Sequence, residues 1–526
     1  MNHISPPSIY TDSEKTKVST DMDKSYLDLE ASNAKEKSRV EFDSGFSSVS
    51  LENSSTSLAE AKNVQHINPQ DEKKLVRTLD IRIMPLFCLF YFADFLDRAN
   101  IGNATLAGLQ TDLGMTTYEL STAISAFFIT YIIFEVPSNV VLKRTNAAMW
   151  LSFIMLVWGI ATLLTAFVTN FTGLLIARLI LGAAESGYIP GIMFLLSKVY
   201  NPQEFSLRVS ILLTMATLSG LLSGPLTYGM SYLDGRNGLH DWQYLFIVEG
   251  VPTIVLAIVS YFFLFDDLQK VKWLSTEQKV LQANRMMIHQ QADTVHEAIS
   301  RQTFRDVFMD WKTWAFAFVF LLNSINVTSI TVFAPTLIDG KYEVNLQNAI
   351  KLLLSALGFG FDPKTSQLLT APPCAVATIG VLTGGYLASR YNRRSPLLVI
   401  GSITIAIGYT CLLVLTNKWA LYSTLFLIPA GMAAAAIGWS AINYHDLNIR
   451  AVAVATVLMV GNVGSIVAAY LFRSQDAPKY AFGMIFNLIT ALVSALLSTL
   501  TGYLLYRENC RRDKDPNESN QFRFFY

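Results

Sequence analysis

Beyond about residue 70 the chain alternates long apolar blocks with short polar punctuation. Six blocks fall at about 81–104, 118–142, 149–169, 171–197, 206–232 and 242–265. Six more fall at about 312–336, 366–389, 395–416, 419–441, 450–473 and 480–506. A block of roughly 20 apolar residues is the length that crosses the hydrocarbon core of a bilayer as a helix. The pattern predicts an all-α polytopic membrane protein with about 12 transmembrane helices in two six-helix bundles. Four further segments complete the expected organisation: a polar tail at 1–72, a bridge at 266–311, an external insert at about 339–363 and a second tail at 507–526. The bundles are then 73–265 and 312–506.

Basic residues orient the chain. "DEKKLVRTLDIR" precedes the first block, "RENCRRDK" follows the last, and the bridge is rich in Lys and Arg. The positive-inside tendency puts all three on the cytosolic side, which requires an even number of spans in each half. Both termini are therefore expected in the cytosol, with the plasma membrane as the expected location and the vacuolar and endoplasmic reticulum membranes as the alternatives. The halves echo one another at "SNVVLKRTNAAMW" and "GGYLASRYNRRSP", which place Lys143 and Arg144, then Arg390, Arg393 and Arg394, at tight turns expected to take part in gating. Such a repeat implies a binding site near the midplane, between two similar bundles.

Composition removes several classes of function. Hydrophobic residues make up 52% of the 526 and charged residues only 15%, with zero formal net charge and no long basic tract, so no nucleic-acid partner is expected. The four Cys are scattered without a CxxC or a disulfide framework. No HExxH, GxSxG or P-loop is present, so neither an enzyme nor a metal site is expected. No cofactor is expected either; uphill movement of a solute would draw on a proton gradient. A monomer in the bilayer is expected.

Ionisable groups inside membrane spans are costly, which makes each a functional candidate. The first block holds Asp97, Arg98 and Asn100 in "FADFLDRANIGNA", preceded by Asp94. The second holds Glu135, the fourth Arg178 and Glu185, and the sixth Glu249. The second half offers mainly amides, among them Asn323 and Asn326. Arg178, Gly182 and Glu185 share nearly one helical face, with the two charges about 10 Å apart along the axis. A guanidinium can bind a carboxylate through a planar fork, and a buried Glu can carry a proton. Arg98, Arg178, Asn100, Asn323 and Asn326 are the candidate substrate-binding residues, and Glu185, Asp97, Glu135 and Glu249 the candidate proton-coupling residues. Gly187 and Gly191 form a small-xxx-small pair suited to close helix packing.

Four stretches carry a more specific likeness: "FLDRANIGNA" (95–104), "FFITYIIFEVPSNVVLKR" (127–144), "ARLILGAAESGYIPG" (177–191) and "WQYLFIVEGVPT" (242–253). Together with the six-plus-six pattern they resemble the major facilitator superfamily, and within it the fungal anion:cation symporter branch, the allantoate permease family. The resemblance covers about residues 75–510 and implies proton-coupled uptake of a small organic anion. Relatives in that branch carry allantoate, nicotinate, pantothenate, biotin or sulfur-containing anions. By the same resemblance, Arg98 and Arg178 map onto candidate anion-binding positions and Glu185 onto a candidate protonatable one. Ser389 stands where the superfamily's turn motif normally has an acid. A non-transporting nutrient receptor and a proton-driven exporter are the alternative functions on the same fold.

Overall fold

The computed structural model describes residues 68–292, 301–339, 363–391, 393–415, 417–428, 439–440, 442–444, 447–472, 474–476, 480–514 and 523–526. The tail expected at 1–72 lies almost wholly outside these residues, as does most of the insert expected at 339–363. Among the described residues nine spans are long and apolar enough to cross a membrane, and Val452–Ala468 is a shorter apolar helix.

The N-terminal bundle is built from α1 (Pro69–Leu106), α2 (Thr117–Arg144), α3 (Ala147–Thr165), α4 (Phe171–Glu185), α5 (Tyr188–Ser197), α6 (Pro202–Met230) and α7 (Asp241–Phe263). The bridge contributes α8 (Thr276–Ala292) and α9 (Arg301–Met309). The second bundle contains α10 (Trp311–Asp339), α11 (Ala371–Tyr391), α12 (Ser395–Val414), α13 (Lys418–Thr424), α14 (Leu447–Ala468) and α15 (Ala481–Lys514). Their starts follow local chemistry. Thr116 and Glu119 form a capping box at α2, while Asn146 and Asn170 accept from the backbone N–H of Met149 and Gly173 at α3 and α4. α1 reaches back to Pro69, ahead of the apolar block, because Asp71 and Glu72 suit its positive end and Leu75, Leu79 and Ile83 bury one face. At the other end α15 runs on to Lys514, so 507–514 is helix rather than tail.

The fourth span is two helices. α4 ends at Glu185 and α5 begins at Tyr188, with the break at Ser186 and Gly187. Pro190 lies in the first turn of α5, where its missing N–H costs nothing. Three glycines let this span approach its neighbours. A Cβ at Gly182 would collide with the backbone carbonyl of Phe127 and with Thr130 Oγ1, one at Gly187 with Ser138, and one at Gly191 with Leu151.

Helix pairing repeats between the halves. α1 packs on α6 and α3 on α7; correspondingly α10 packs on α14 and α12 on α15. The bundles meet along α1 with α10, α2 with α14, and α6 with α11. The end where α1 starts and α15 finishes is here the proximal end, and the opposite one the distal end. At the distal end a single apolar core joins both bundles, running from Ile101, Leu120 and Trp242 to Val332, Ile405 and Phe472. Proximally each bundle has its own core, one around Phe87, Trp158 and Leu195, the other around Phe316, Trp439 and Leu505.

Glycine sets two of the distal seams. A Cβ at Gly102 would strike the carbonyl of Val332 on α10, and one at Gly224 would strike the carbonyl of Gln367 just before α11. The third seam is made by Tyr470, whose ring lies 5.9 Å from that of Tyr118 and whose hydroxyl donates to Thr122 Oγ1 at 3.5 Å. The distal end is thus closed and continuous, and the cores part towards the proximal end.

Candidate functional site

Among the described residues every buried charged side chain belongs to the N-terminal bundle or to the bridge: Asp94, Asp97, Glu135, Arg178, Glu185, Arg208, Glu249 and Arg285. Two of these are proximal clamps. Arg208 donates to both carboxylate oxygens of Asp80, at 3.0 and 2.7 Å, and Arg285 on α8 pairs with Glu204 at 2.9 Å while donating to the carbonyl of Val199. Arg285 is 1% exposed, which fixes the bridge helix against the start of α6. The others gather where α1, α2, α4 and α7 approach one another.

Arg98 is the hub. Its Nε donates to Glu185 Oε2 at 3.0 Å and its Nη2 to Asp94 Oδ1 at 3.2 Å. Its guanidinium lies 4.9 Å from the ring centre of Tyr131, 5.1 Å from Phe95 and 5.7 Å from Phe127. Carboxylates therefore hold the edge of the cation while aromatic faces cover its plane. Glu135 follows Tyr131 by one helical turn, is 5% exposed, and leaves Oε2 without a hydrogen-bond partner.

Arg178 is different. It is 4% exposed, its guanidinium lies 5.8 Å from the Phe246 ring centre, and neither Nε nor Nη2 has a hydrogen-bond partner among the described residues. Glu185, on the same face of α4, turns to Arg98 instead, which the two-turn separation makes the easier contact. Arg178, Arg98 and Glu185 border a small cavity of about 20 Å3, room for a water-sized occupant. The rest of its wall is Ile101, Ile124, Phe127, Phe128, Leu181 and, from the second bundle, Val332. An orphaned buried N–H pair is costly unless something occupies it.

Asp97 and Asn100 point away from this cavity. Asp97 Oδ2 accepts from Trp158 Nε1 and from Thr162 Oγ1, the latter at 3.1 Å, which ties α1 to α3. Asn100 Oδ1 accepts from Ser223 Oγ at 2.8 Å, and Ser223 accepts in turn from Asn103 at 2.7 Å, tying α1 to α6. Glu249 is 4% exposed and stands close to Asp97, Asn100 and Arg178. Adjacent residues of one helix thus divide between two clusters: Arg98 on the cavity, Asp97 on the interhelical network.

The remaining candidates are placed elsewhere. Asn323 Nδ2 donates to the carbonyl of Val319 and to Ser494 Oγ, and Asn326 Nδ2 to the carbonyl of Leu322 and to Thr490 Oγ1. Both join α10 to α15, and neither is in the wall of the cavity beside Arg178. Arg144 and Arg393 are exposed, and Arg394 is half-buried at the start of α12. The side chains of Lys143 and Arg390 lie outside the described residues. Asp94 was discernible as the i−4 partner of Arg98. The aromatic cover and the Val332 wall carry no such sequence signal.

Two packed helical bundles with a charged cavity between them define a membrane transport architecture, and comparison with known proteins agrees. The Major Facilitator Superfamily model matches residues 87–469, so the chain belongs to that family and is a multi-pass membrane transporter of small molecules. An uncharacterized transporter of Schizosaccharomyces pombe is 28% identical over 459 residues, covering 86% of this chain and 88% of its own. The MFS-type transporter cnsO of Penicillium expansum is 30% identical over 466 residues, covering 84% and 85%. Among solved structures, the fold is similar to a bacterial homologue of the human lysosomal transporter Spinster, with TM-score 0.62, 14% identity and coverage of 80% of this chain and 96% of that one. The Escherichia coli xylose transporter XylE gives TM-score 0.61 at 14% identity, covering 80% and 97%.

Proposed function

We propose that the protein is a proton-coupled symporter that takes up a small organic anion, of the allantoate-permease type. The observation that carries this reading is the pairing of unlike arginines at one cavity. Arg98 is neutralised by Asp94 and Glu185, whereas Arg178 keeps two donors free. A carboxylate entering the cavity would meet Arg178 through a two-point fork. A proton placed on Glu185 removes its charge and releases Arg98 Nε, which can then turn to the same anion. Proton and anion each favour the other's binding, and that mutual preference is the coupling. The symport cycle needs no group beyond the chain's own residues and the proton gradient.

The distal core would part and the proximal cores join as the bundles rock about the cavity, exposing it alternately to each side. With both termini in the cytosol, the closed distal end faces outward and the cavity empties inward. The plasma membrane is the location that suits uptake. Asp97 and Glu249, close enough to feel each other's charge, form a second proton-holding pair through which the cavity's charge is balanced during the cycle.

Reconstituted protein and a panel of labelled carboxylates test the reading. Acid outside should stimulate uptake of at least one, and Arg178→Ala should abolish it at normal membrane levels. Undiminished uptake in that variant removes Arg178 from the site. Binding without transport under any gradient would favour a receptor, and outward flux driven by inward proton movement would favour an exporter.

A further inference from the structure

Residues 523–526 lie on the proximal end of the second bundle, where two buried asparagines read their backbone in succession. The N–H of Phe524 donates to Asn509 Oδ1 at 2.9 Å, and Asn509 Nδ2 donates back to the Phe524 carbonyl at 2.8 Å. The next residue is held in the same two-point way: Phe525 N–H donates to Asn443 Oδ1 at 2.9 Å, and Asn443 Nδ2 to the Phe525 carbonyl at 3.0 Å. Trp439 Nε1 adds a donor to that carbonyl at 2.7 Å. An asparagine amide offers one acceptor beside its donors, as a peptide group does, so each stands in for a partner strand.

The side chains restrict which peptide fits. Phe524 is buried, its ring centre 4.3 Å from Lys312 Nζ and 4.4 Å from the Arg512 guanidinium, a setting that favours an aromatic ring over an aliphatic chain. Arg523 pairs with Asp513 and donates to the carbonyl of Asn509 at 3.1 Å. The Tyr526 ring meets that of Tyr506 at 5.3 Å, and its carbonyl accepts from the backbone N–H of Arg394 at 3.3 Å. That N–H is one of the donors left open at the start of α12, and the Arg393 guanidinium lies 5.8 Å from the Tyr526 ring. Both arginines belong to the turn expected to take part in gating. We infer that this face is a peptide-binding groove for a basic–aromatic–aromatic segment, and that 523–526 is a releasable strap in it that holds the 393–394 turn. Ordering a few residues costs backbone entropy comparable to what one buried ring and several neutral hydrogen bonds return, so the strap can detach while the bundle stays folded. None of these contacts involves the Arg98–Arg178 cavity, so the strap is independent of the solute carried.

Hydrogen exchange at the Arg394 amide, distant in sequence from the strap, reads its occupancy. Phe524→Ser in the purified full chain removes the buried ring and should speed exchange there at least about tenfold. Deletion of 523–526 should speed it at least as much. A capped Arg-Phe-Phe-Tyr peptide added to the deletion variant should restore the wild-type rate, at a concentration where capped Arg-Ser-Phe-Tyr has no effect. Exchange at the wild-type rate in Phe524→Ser would refute the strap. The groove is refuted if neither peptide slows exchange in the deletion variant, or if both slow it equally. Faster exchange throughout 395–414 in Phe524→Ser would make Phe524 ordinary core of the bundle and would overturn local release.

Discussion

The distal seal offers a quantitative test of how the bundles move. At Gly102 the backbones of α1 and α10 touch: a Cβ would overlap the carbonyl oxygen of Val332 and come within 3.0 Å of its carbonyl carbon and 3.3 Å of its Cα. These are backbone atoms and cannot swing aside. Gly102→Ala must therefore push the two helices apart, and overpacking of this kind costs about 1–3 kcal/mol. Because the contact lies between the bundles, separating them at the distal end relieves the clash with each bundle intact. The closed state alone is penalised, so the ratio of distal-open to distal-closed molecules should rise about 5- to 150-fold. A cysteine introduced at Ile124 on the cavity wall, with the four native cysteines replaced, reports this as its rate of modification by a membrane-impermeant thiol reagent applied from the distal side. Gly229→Ala is the control, since a Cβ there meets nothing within 4 Å. Faster labelling in Gly102→Ala with no change in Gly229→Ala is the expected result. Equal labelling in a folded Gly102→Ala protein would refute a seal made by this contact.

Two further substitutions probe the polar ties. Trp158→Phe deletes the indole donor to buried Asp97 and replaces a fully buried bicyclic ring with a smaller one, and should lower stability by at least about 1–3 kcal/mol, read as a fall in melting temperature of the purified protein. Thr162 still donates to Asp97 there, so a Trp158→Phe, Thr162→Val double variant should lose more than either single one. Arg285→Gln removes the cation from Glu204 and Glu72, both partly exposed, and should free α8 from the N-terminal bundle. Limited proteolysis within 276–292 should then proceed at least about tenfold faster, corresponding to roughly 1.4 kcal/mol of lost docking.

What the sequence disclosed, and what it did not, follows from the range of each interaction. Apolar blocks of bilayer length mark the spans because lipid requires every backbone group to be satisfied within the helix. The Asp94–Arg98 contact is also legible, being a single helical turn. By contrast, Arg98 and Glu185 are 87 positions apart, and only the close approach of α4 to α2 at Gly182 brings the cavity wall together. The face chosen by Asn323 and Asn326 was equally hidden: an amide at i and i+3 suits a ligand or a neighbouring helix, and α15 supplied Ser494 and Thr490. The break in the fourth span falls ahead of Pro190, at Ser186 and Gly187. Proline is tolerated in a first turn, so it marks where α5 starts rather than where a helix fails.

The coupling assigned to the Arg98–Glu185 ion pair is tested most directly by following proton movement during carboxylate uptake. Proteoliposomes carrying an internal pH-sensitive dye should acidify when the transported carboxylate is added outside the wild-type protein. Glu185→Gln, which keeps the size of the side chain but cannot exchange a proton, should still bind the carboxylate and exchange it across the membrane without acidification. Acidification by Glu185→Gln at the wild-type ratio of protons to anions would contradict the account.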